Sequence, residues 1–200
     1  MEVMDKYNFS FTASALRVNE FEKVIRHLYL DEPIDVTNDL GNGKSATGRR
    51  VLSDLNKRVK CLNQELMEIY LESNHHTQRS IAYLSICKAY DFIRDFVIEV
   101  VREKALVFDF ELTEGDFITF FRRKLDLHVE MESLTDDTRY KLKQITFKLL
   151  EQAGIIDDVK YKNIQPQLLD YRITRAIVKD DAKWLKVFLI SDIDIENSKE

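Results

Sequence analysis

Apolar residues recur along this chain at steps of three and four, the spacing that lines one face of an α-helix. The pattern is widest between Gln78 and Leu106. There Ile86, Tyr90, Ile93, Val97 and Val100 repeat at helical spacing, and Cys87, Phe96 and Val101 broaden the stripe. A stripe that broad needs neighbours on more than one side, so it predicts one long central helix. Upstream, an aromatic segment from Tyr7 to Phe11 leads into a helix reaching about Leu30, with Ser10 or Thr12 placed to cap its free amides. Pro33 and the cluster Gly41-Asn42-Gly43 bracket one or two helical turns. A helix over about 45–62 follows, with Ser45 or Thr47 as its cap. Another spans roughly 63–73 and ends near His75-His76.

Downstream, Leu112-Thr113-Glu114-Gly115-Asp116-Phe117 reads as a helix start. Thr113 is the cap, Asp116 the acid three positions on, and Leu112 with Phe117 the hydrophobic staple. This helix is expected to reach Glu132. The next begins near Thr135-Asp136-Asp137 and stops at Gly154, a residue suited to a left-handed helix end. Beyond it, Ile155-Ile156, Val159, Tyr161, Ile164 and residues 173–178 form short apolar bursts. They permit two or three short strands, or a strand and a helix. The predicted fold class is mainly α: a helical bundle with helix-turn-helix-like parts and room for a small β wing after Gly154. A boundary near 106–112 divides residues 1–106, with the basic and central helices, from residues 107–200, which end in an acidic tail. In that tail Asp192, Asp194, Glu196 and Glu200 stand against Lys199 alone, and fraying is expected.

Composition narrows the function classes. Five glycines and two prolines in 200 residues leave little material for tight turns, which again favours helices. Cys61 and Cys87 have neither metal-ligand spacing nor a disulfide framework, as suits a reducing compartment. The N-terminus, Met1 to Tyr7, lacks a signal-peptide core. The most apolar stretch, Phe92 to Phe110, is interrupted by Arg94, Asp95, Glu99, Arg102, Glu103, Lys104 and Asp109. A bilayer span needs about 20 mostly uncharged residues. The sequence therefore predicts a cytoplasmic protein without membrane contact.

Catalytic signatures are missing. Gly43-Lys44-Ser45 resembles the end of a phosphate-binding loop, but Asn38 occupies the position of the first glycine and no buried strand leads in. A glycine turn before a helix start accounts for it. His75-His76 project in different directions, His27 and His128 stand alone, and no cysteine or acidic set completes a metal site. No serine has a nucleophile-elbow context. The reading is a non-enzyme with no cofactor and no metal.

Charge singles out the helix over 45–62. At 100° per residue, Val51, Leu52, Leu55, Val59 and Leu62 gather on one side. Arg49, Arg50, Lys57 and Lys60 gather nearly opposite, with Arg58 at the flank. From Lys44 to Lys60 there are six basic residues and one acid, Asp54, in a chain of net charge −5. A solvated polar face normally mixes both signs through i to i+4 pairs. A one-signed face suits phosphates: arginine offers a planar fork of donors and lysine a mobile charge. Ser45 and Thr47 add neutral donors at the helix start. The DNA-binding candidates are thus Lys44, Ser45, Thr47, Arg49, Arg50, Lys57, Arg58 and Lys60. A secondary set, Lys141, Gln144 and Lys148, lies on the outer face of the helix ending at Gly154, although Glu151 shares that face. This helix fits a recognition helix following the one from Phe117 to Glu132, with a wing after Gly154. Arg122-Arg123-Lys124 is basic too, but three consecutive residues point three ways.

Four segments appear in a telling order: Tyr7-Asn8-Phe9-Ser10-Phe11-Thr12-Ala13, the Ser45-to-Arg58 helix, Phe92-Ile93-Arg94-Asp95-Phe96 through Lys104, and Thr138-Arg139-Tyr140-Lys141-Leu142 through Gly154. Together they resemble BrxA, a small component of bacterial BREX phage-defence systems, over about residues 10–165. The last 35 residues match less clearly. The resemblance implies a mainly helical, non-enzymatic accessory protein that binds double-stranded DNA beside other BREX subunits. It also implies a likeness to the helical bundle of NusB antitermination factors. Two alternatives stay open: an adaptor docking other defence subunits, and an RNA-binding bundle.

Overall fold

The computed structural model describes residues 6–13 and 15–199, without the side chains of 12 and 13; the side chain of the candidate cap Thr12 and most of the polar N-terminus therefore lie outside the described part. Helices dominate. They are α1 (Val18–Leu30), α2 (Ser45–Val59), α3 (Gln64–Glu72), α4 (His75–Ala89), α5 (Asp91–Phe96), α6 (Glu103–Leu106), α7 (Glu114–Leu125), α8 (Asp136–Ala153), α9 (Tyr171–Asp181) and α10 (Asp192–Asn197). A π-helical stretch, Val97–Arg102, joins α5 to α6 without interruption. No helix among the described residues is long and apolar enough to cross a membrane.

The predicted central helix exists as two. Tyr90 adopts an extended conformation, φ −136° and ψ 96°, and separates α4 from α5. Its phenol donates to Asp54 of α2, a long-range bond that periodicity cannot reveal. Centrality is as expected: Ile81 to Cys87 are all buried, with no solvent-facing side. Beside them Phe92 is an aromatic hub. Its ring lies 5.4 Å from those of Tyr7, Phe9 and Phe120, tying the N-terminal segment to α7. Phe96 extends the cluster to Phe120 at 5.2 Å and to Phe147 of α8 at 6.3 Å. Such edge-to-face contacts match the positive ring edge to the negative face.

Several boundaries shift. The helix expected from Ser10 or Thr12 is a short 3₁₀ turn, Ser10–Ala13, and then α1, because Arg17 sits in the left-handed region at φ 53°. The Ser10 hydroxyl lies 3.3 Å from that of Tyr90 rather than on a helix amide. Between Pro33 and Gly41 the expected turn is a π turn, Val36–Leu40. α2 packs on it so tightly that a Cβ at Gly48 would meet the Val36 carbonyl oxygen at 2.0 Å. Glycine is therefore required there. The cap of α2 is Lys44, without a side-chain hydrogen bond, and Ser45 is already helical, so neither Ser45 nor Thr47 caps it.

The capping box of α7 forms as read: Thr113 accepts from the Asp116 amide, and Asp116 accepts from that of Thr113. The helix stops at Leu125, not Glu132, and a 3₁₀ turn Val129–Met131 precedes α8. Thr135 caps α8, and Gly154 ends it at φ 74°. No strand forms among the described residues. The chain after Gly154 makes two isolated antiparallel bridges, Glu111 with Asn163 and Ile156 with Ile164. They are reinforced by bonds from Leu112 N to Lys162 O, 3.1 Å, and from Ile164 N to Phe110 O, 2.7 Å. The acidic tail, expected to fray, contains a short helix. Residues 192–197 are helical, Ile195 is buried, and Asp192 pairs with Lys186 at 2.9 Å and with Arg102 at 3.2 Å. These two cations meet one acid of the run, Asp192, while Lys199 pairs with Glu196 at 2.6 Å.

Candidate nucleic-acid interface

α2 is amphipathic in space as well as in sequence. Val51, Leu55 and Val59 are buried, and Leu52 is half-buried. Lys44, Ser45, Thr47, Arg49, Arg50 and Lys60 are exposed. Among the described residues no carboxylate lies within ion-pair distance of Lys44, Arg49, Arg50, Lys57 or Lys60. Elsewhere cations are commonly matched: Lys23 with Asp39, Lys88 with Asp180, Lys179 with Glu65. Lys57 is half-buried, its Nζ 4.1 Å from the centroid of the Tyr90 ring.

Arg58 must be removed from the candidate face. Its side chain is 0% exposed. Nη2 donates to the carbonyls of Leu16 at 3.0 Å and Ala82 at 3.3 Å, and Nε donates to Ser85 Oγ at 3.2 Å. The guanidinium also sits 4.7 Å from the Phe21 ring and 3.6 Å from Asp54. Burial pulls its pKa below the ordinary value, opposed by the charge of Asp54. The flank that a helical wheel assigns to Arg58 is covered by α4 and by the chain entering α1.

A cleft of about 330 Å³ opens beside Arg50 and Lys57. Asn8, Ser10 and Ser53 also line it, with Asp54 and Tyr90. These neutral polar groups were not among the sequence candidates. Asn8 and Ser10 arrive from a segment some forty positions upstream, so no local spacing could connect them to α2. Burial and the nearby Asp54 carboxylate push the Tyr90 phenol well above its ordinary pKa, so it stays a donor.

The secondary set lies on α8. Lys141, Gln144 and Lys148 are all exposed; Lys148 is paired with Glu151, whereas Lys141 has no carboxylate partner among the described residues. A second cleft, about 400 Å³, brings Gln144 and Lys148 beside Val159 and Lys162 of the segment after Gly154. The basic run on α7 disperses as expected. Arg123 pairs with Glu99 at 2.7 Å, Lys124 is buried against Asp95 at 3.0 Å and Glu99 at 2.6 Å, and Arg122 is exposed. No group of three or more His, Cys, Asp or Glu side chains among the described residues is arranged to hold a metal ion.

A sequence profile of the BrxA family matches residues 5–181. The chain belongs to the BrxA family. Two relatives carry the name BREX protein BrxA. That of Bacillus cereus (strain H3081.97) is 28% identical over 130 residues, 64% of this chain and 65% of that protein, so the match spans slightly under two thirds of its length. That of Escherichia coli O9:H4 (strain HS) is 22% identical over 151 residues, 72% of this chain and 71% of its own. The crystal structure of an uncharacterized protein from Magnetospirillum magneticum shares the fold. It has a TM-score of 0.78 at 15% identity, over 92% of this chain and 98% of that one.

Proposed function

We propose that this protein is a non-enzymatic DNA-binding accessory component of a bacterial BREX phage-defence system, gripping duplex DNA mainly by its backbone phosphates. The observation that carries the reading is the outer face of α2. There Lys44, Arg49, Arg50 and Lys60 are exposed without carboxylate partners among the described residues. Ser45, Thr47 and the neutral groups of the adjoining cleft supply further donors. Phosphate contacts of this kind position a protein without identifying bases, so the binding is sequence-tolerant. The name shared by the two relatives supports the system assignment and implies other BREX subunits as partners.

Four exposed cations, with Lys57 behind them, give a slope of log affinity against log salt of roughly −3.5 to −4.5. Fluorescence anisotropy with a labelled duplex, repeated across a salt titration, measures it. The double variant Arg49→Glu, Arg50→Glu is expected to bind weakly and to flatten the slope by about 2. A double variant that binds like the wild type throughout the titration sinks the assignment.

A second DNA-facing surface has its own support. α5 and α6, the bridge at Glu111, α7, α8 and the bridged residues Ile156 and Ile164 follow the order of a winged helix-turn-helix. In that arrangement α8 is the reading helix, presenting Lys141, Gln144 and Lys148. If Lys141→Glu with Lys148→Glu flattens the salt slope and the α2 double variant does not, the principal contact lies on α8.

A further inference from the structure

Between α7 and α8 lies a cleft of about 340 Å³ whose chemistry does not suit phosphates. Phe117, Ile118, Phe121 and Leu125 give it an apolar floor, and Tyr140 forms one wall. Two of these side chains are strongly exposed for their size, Ile118 at 43% and Tyr140 at 58%. Apolar surface left open in this way marks an interaction site when it is contiguous and rimmed by polar groups.

The rim has one dominant sign. Arg122 is exposed and has no carboxylate partner among the described residues. Arg139 lies 5.9 Å from the Phe121 ring, and its Nε is buried without an acceptor among the described residues. Its one ion pair among the described residues, to the fully exposed Asp136, is 3.8 Å long, and Nη2 donates to the Glu132 carbonyl at 3.5 Å. Lys143 stands 5.3 Å from the Tyr140 ring and pairs with Glu114 at 2.5 Å. Three cations thus surround an apolar floor, and one of them holds an unused buried donor.

We infer that this cleft docks an acidic amphipathic segment of a partner protein, with a large apolar side chain seated on Ile118 and Phe121 and flanking carboxylates meeting Arg122 and Arg139. Charge complementarity selects this occupant. A DNA backbone brings anionic oxygens but nothing to cover the apolar floor, whereas an acidic peptide satisfies both floor and rim. Apolar anchors set in pockets supply most of the affinity at such interfaces, and rim charges set sign and on-rate. The inference does not rest on DNA binding by α2, which uses other residues.

The probe is a short fluorescein-labelled peptide carrying one tryptophan and one leucine among aspartates and glutamates. The control is the same peptide with every acid replaced by lysine. Anisotropy should show saturable binding of the acidic peptide to the full chain and none of the lysine form. Ile118→Glu and, separately, Arg122→Glu should each weaken that binding at least about tenfold. Both side chains are exposed, so unchanged circular dichroism and melting temperature verify the fold of each variant. Arg49→Glu with Arg50→Glu should leave peptide affinity unaltered whatever it does to DNA. Equal binding of the two peptides overturns the inference, as does indifference to both cleft variants. Two other results also overturn it by naming a different occupant. One is loss of duplex binding in Ile118→Glu. The other is a concentration-dependent dimer of the wild type that this variant abolishes.

Discussion

Replacing Arg58 by methionine separates a fold anchor from a phosphate contact. In the folded protein Arg58 is fully buried and bonds to the Leu16 and Ala82 carbonyls and the Ser85 hydroxyl, with Asp54 as its counter-charge at 3.6 Å. Methionine fills much of the same volume but makes none of these bonds. It leaves the Asp54 carboxylate, itself only 8% exposed, without its cation. Removing one partner of a buried ion pair costs about 3–5 kcal/mol. For a domain of this size, about 2–4 °C of melting temperature is lost per kcal/mol, so the expected drop is roughly 6–20 °C. Differential scanning calorimetry measures it. Well below that transition, the variant should keep the wild-type salt slope for duplex DNA, because the side chain never reaches the surface. A melting temperature within about 2 °C of wild type would refute the buried network. A folded variant whose slope is flatter by about 1 would return Arg58 to the binding face.

Two further outcomes test the core. Burial alone would raise the Asp95 carboxyl, but hydrogen bonds from Tyr7 and Lys124 and the charge of Arg94 outweigh it and hold the pKa below its ordinary value. A depressed carboxyl stabilises the fold above its unfolded pKa, about 3.9, and that stability is lost as pH falls through the folded value. Asp95→Asn is therefore expected to cost about 1.5–3 kcal/mol in urea unfolding at pH 7, with the gap to wild type shrinking by pH 3; a gap independent of pH contradicts the reasoning. Gly154→Ala should lower stability by about 1–2 kcal/mol, because φ is 74° and the new Cβ would come within 2.9 Å of Arg79 Nη2. Gly154→Asn should cost less, since asparagine tolerates that conformation, and equal urea midpoints for glycine and alanine would contradict the left-handed cap.

Local chemistry was the legible part of this protein. Thr113 with Asp116, Thr135, and Gly154 mark helix ends through contacts no more than a few residues apart, and all three act where their spacing places them. Tertiary chemistry was not legible. The stripe from Ile86 to Val100 runs on through Tyr90 as though the helix were continuous, yet a phenol–carboxylate bond to Asp54, 36 positions upstream, holds the break. Arg58 looks like a flank position on a helical wheel, and only the arrival of Leu16, Ala82 and Ser85 makes it core. The acidic tail is likewise helical, capped by Ser191, and its first acid, Asp192, is met by Lys186 and by Arg102 from far upstream. In each case the missing information is which distant group covers a surface, and a one-dimensional period cannot carry it.

The same long-range contacts explain how an acidic protein can present an unopposed basic face. Asp54 is the one acid of α2, and although it lines the cleft beside Arg50 and Lys57, its side chain is only 8% exposed and makes its ion pair with the buried Arg58. One oxygen accepts from the Tyr90 phenol; the other has no hydrogen bond among the described residues and faces Arg58. Its charge is thus balanced inside the protein, where it screens the exterior cations least. The break at Tyr90 is what brings the phenol to that carboxylate, and Arg58 is what makes its burial tolerable, since an uncompensated buried charge would not persist. Tyr90 and Arg58 touch no phosphate in the proposed complex. They hold the Asp54 carboxylate inside the fold, and net charge, a sum over the chain, carries no trace of that arrangement.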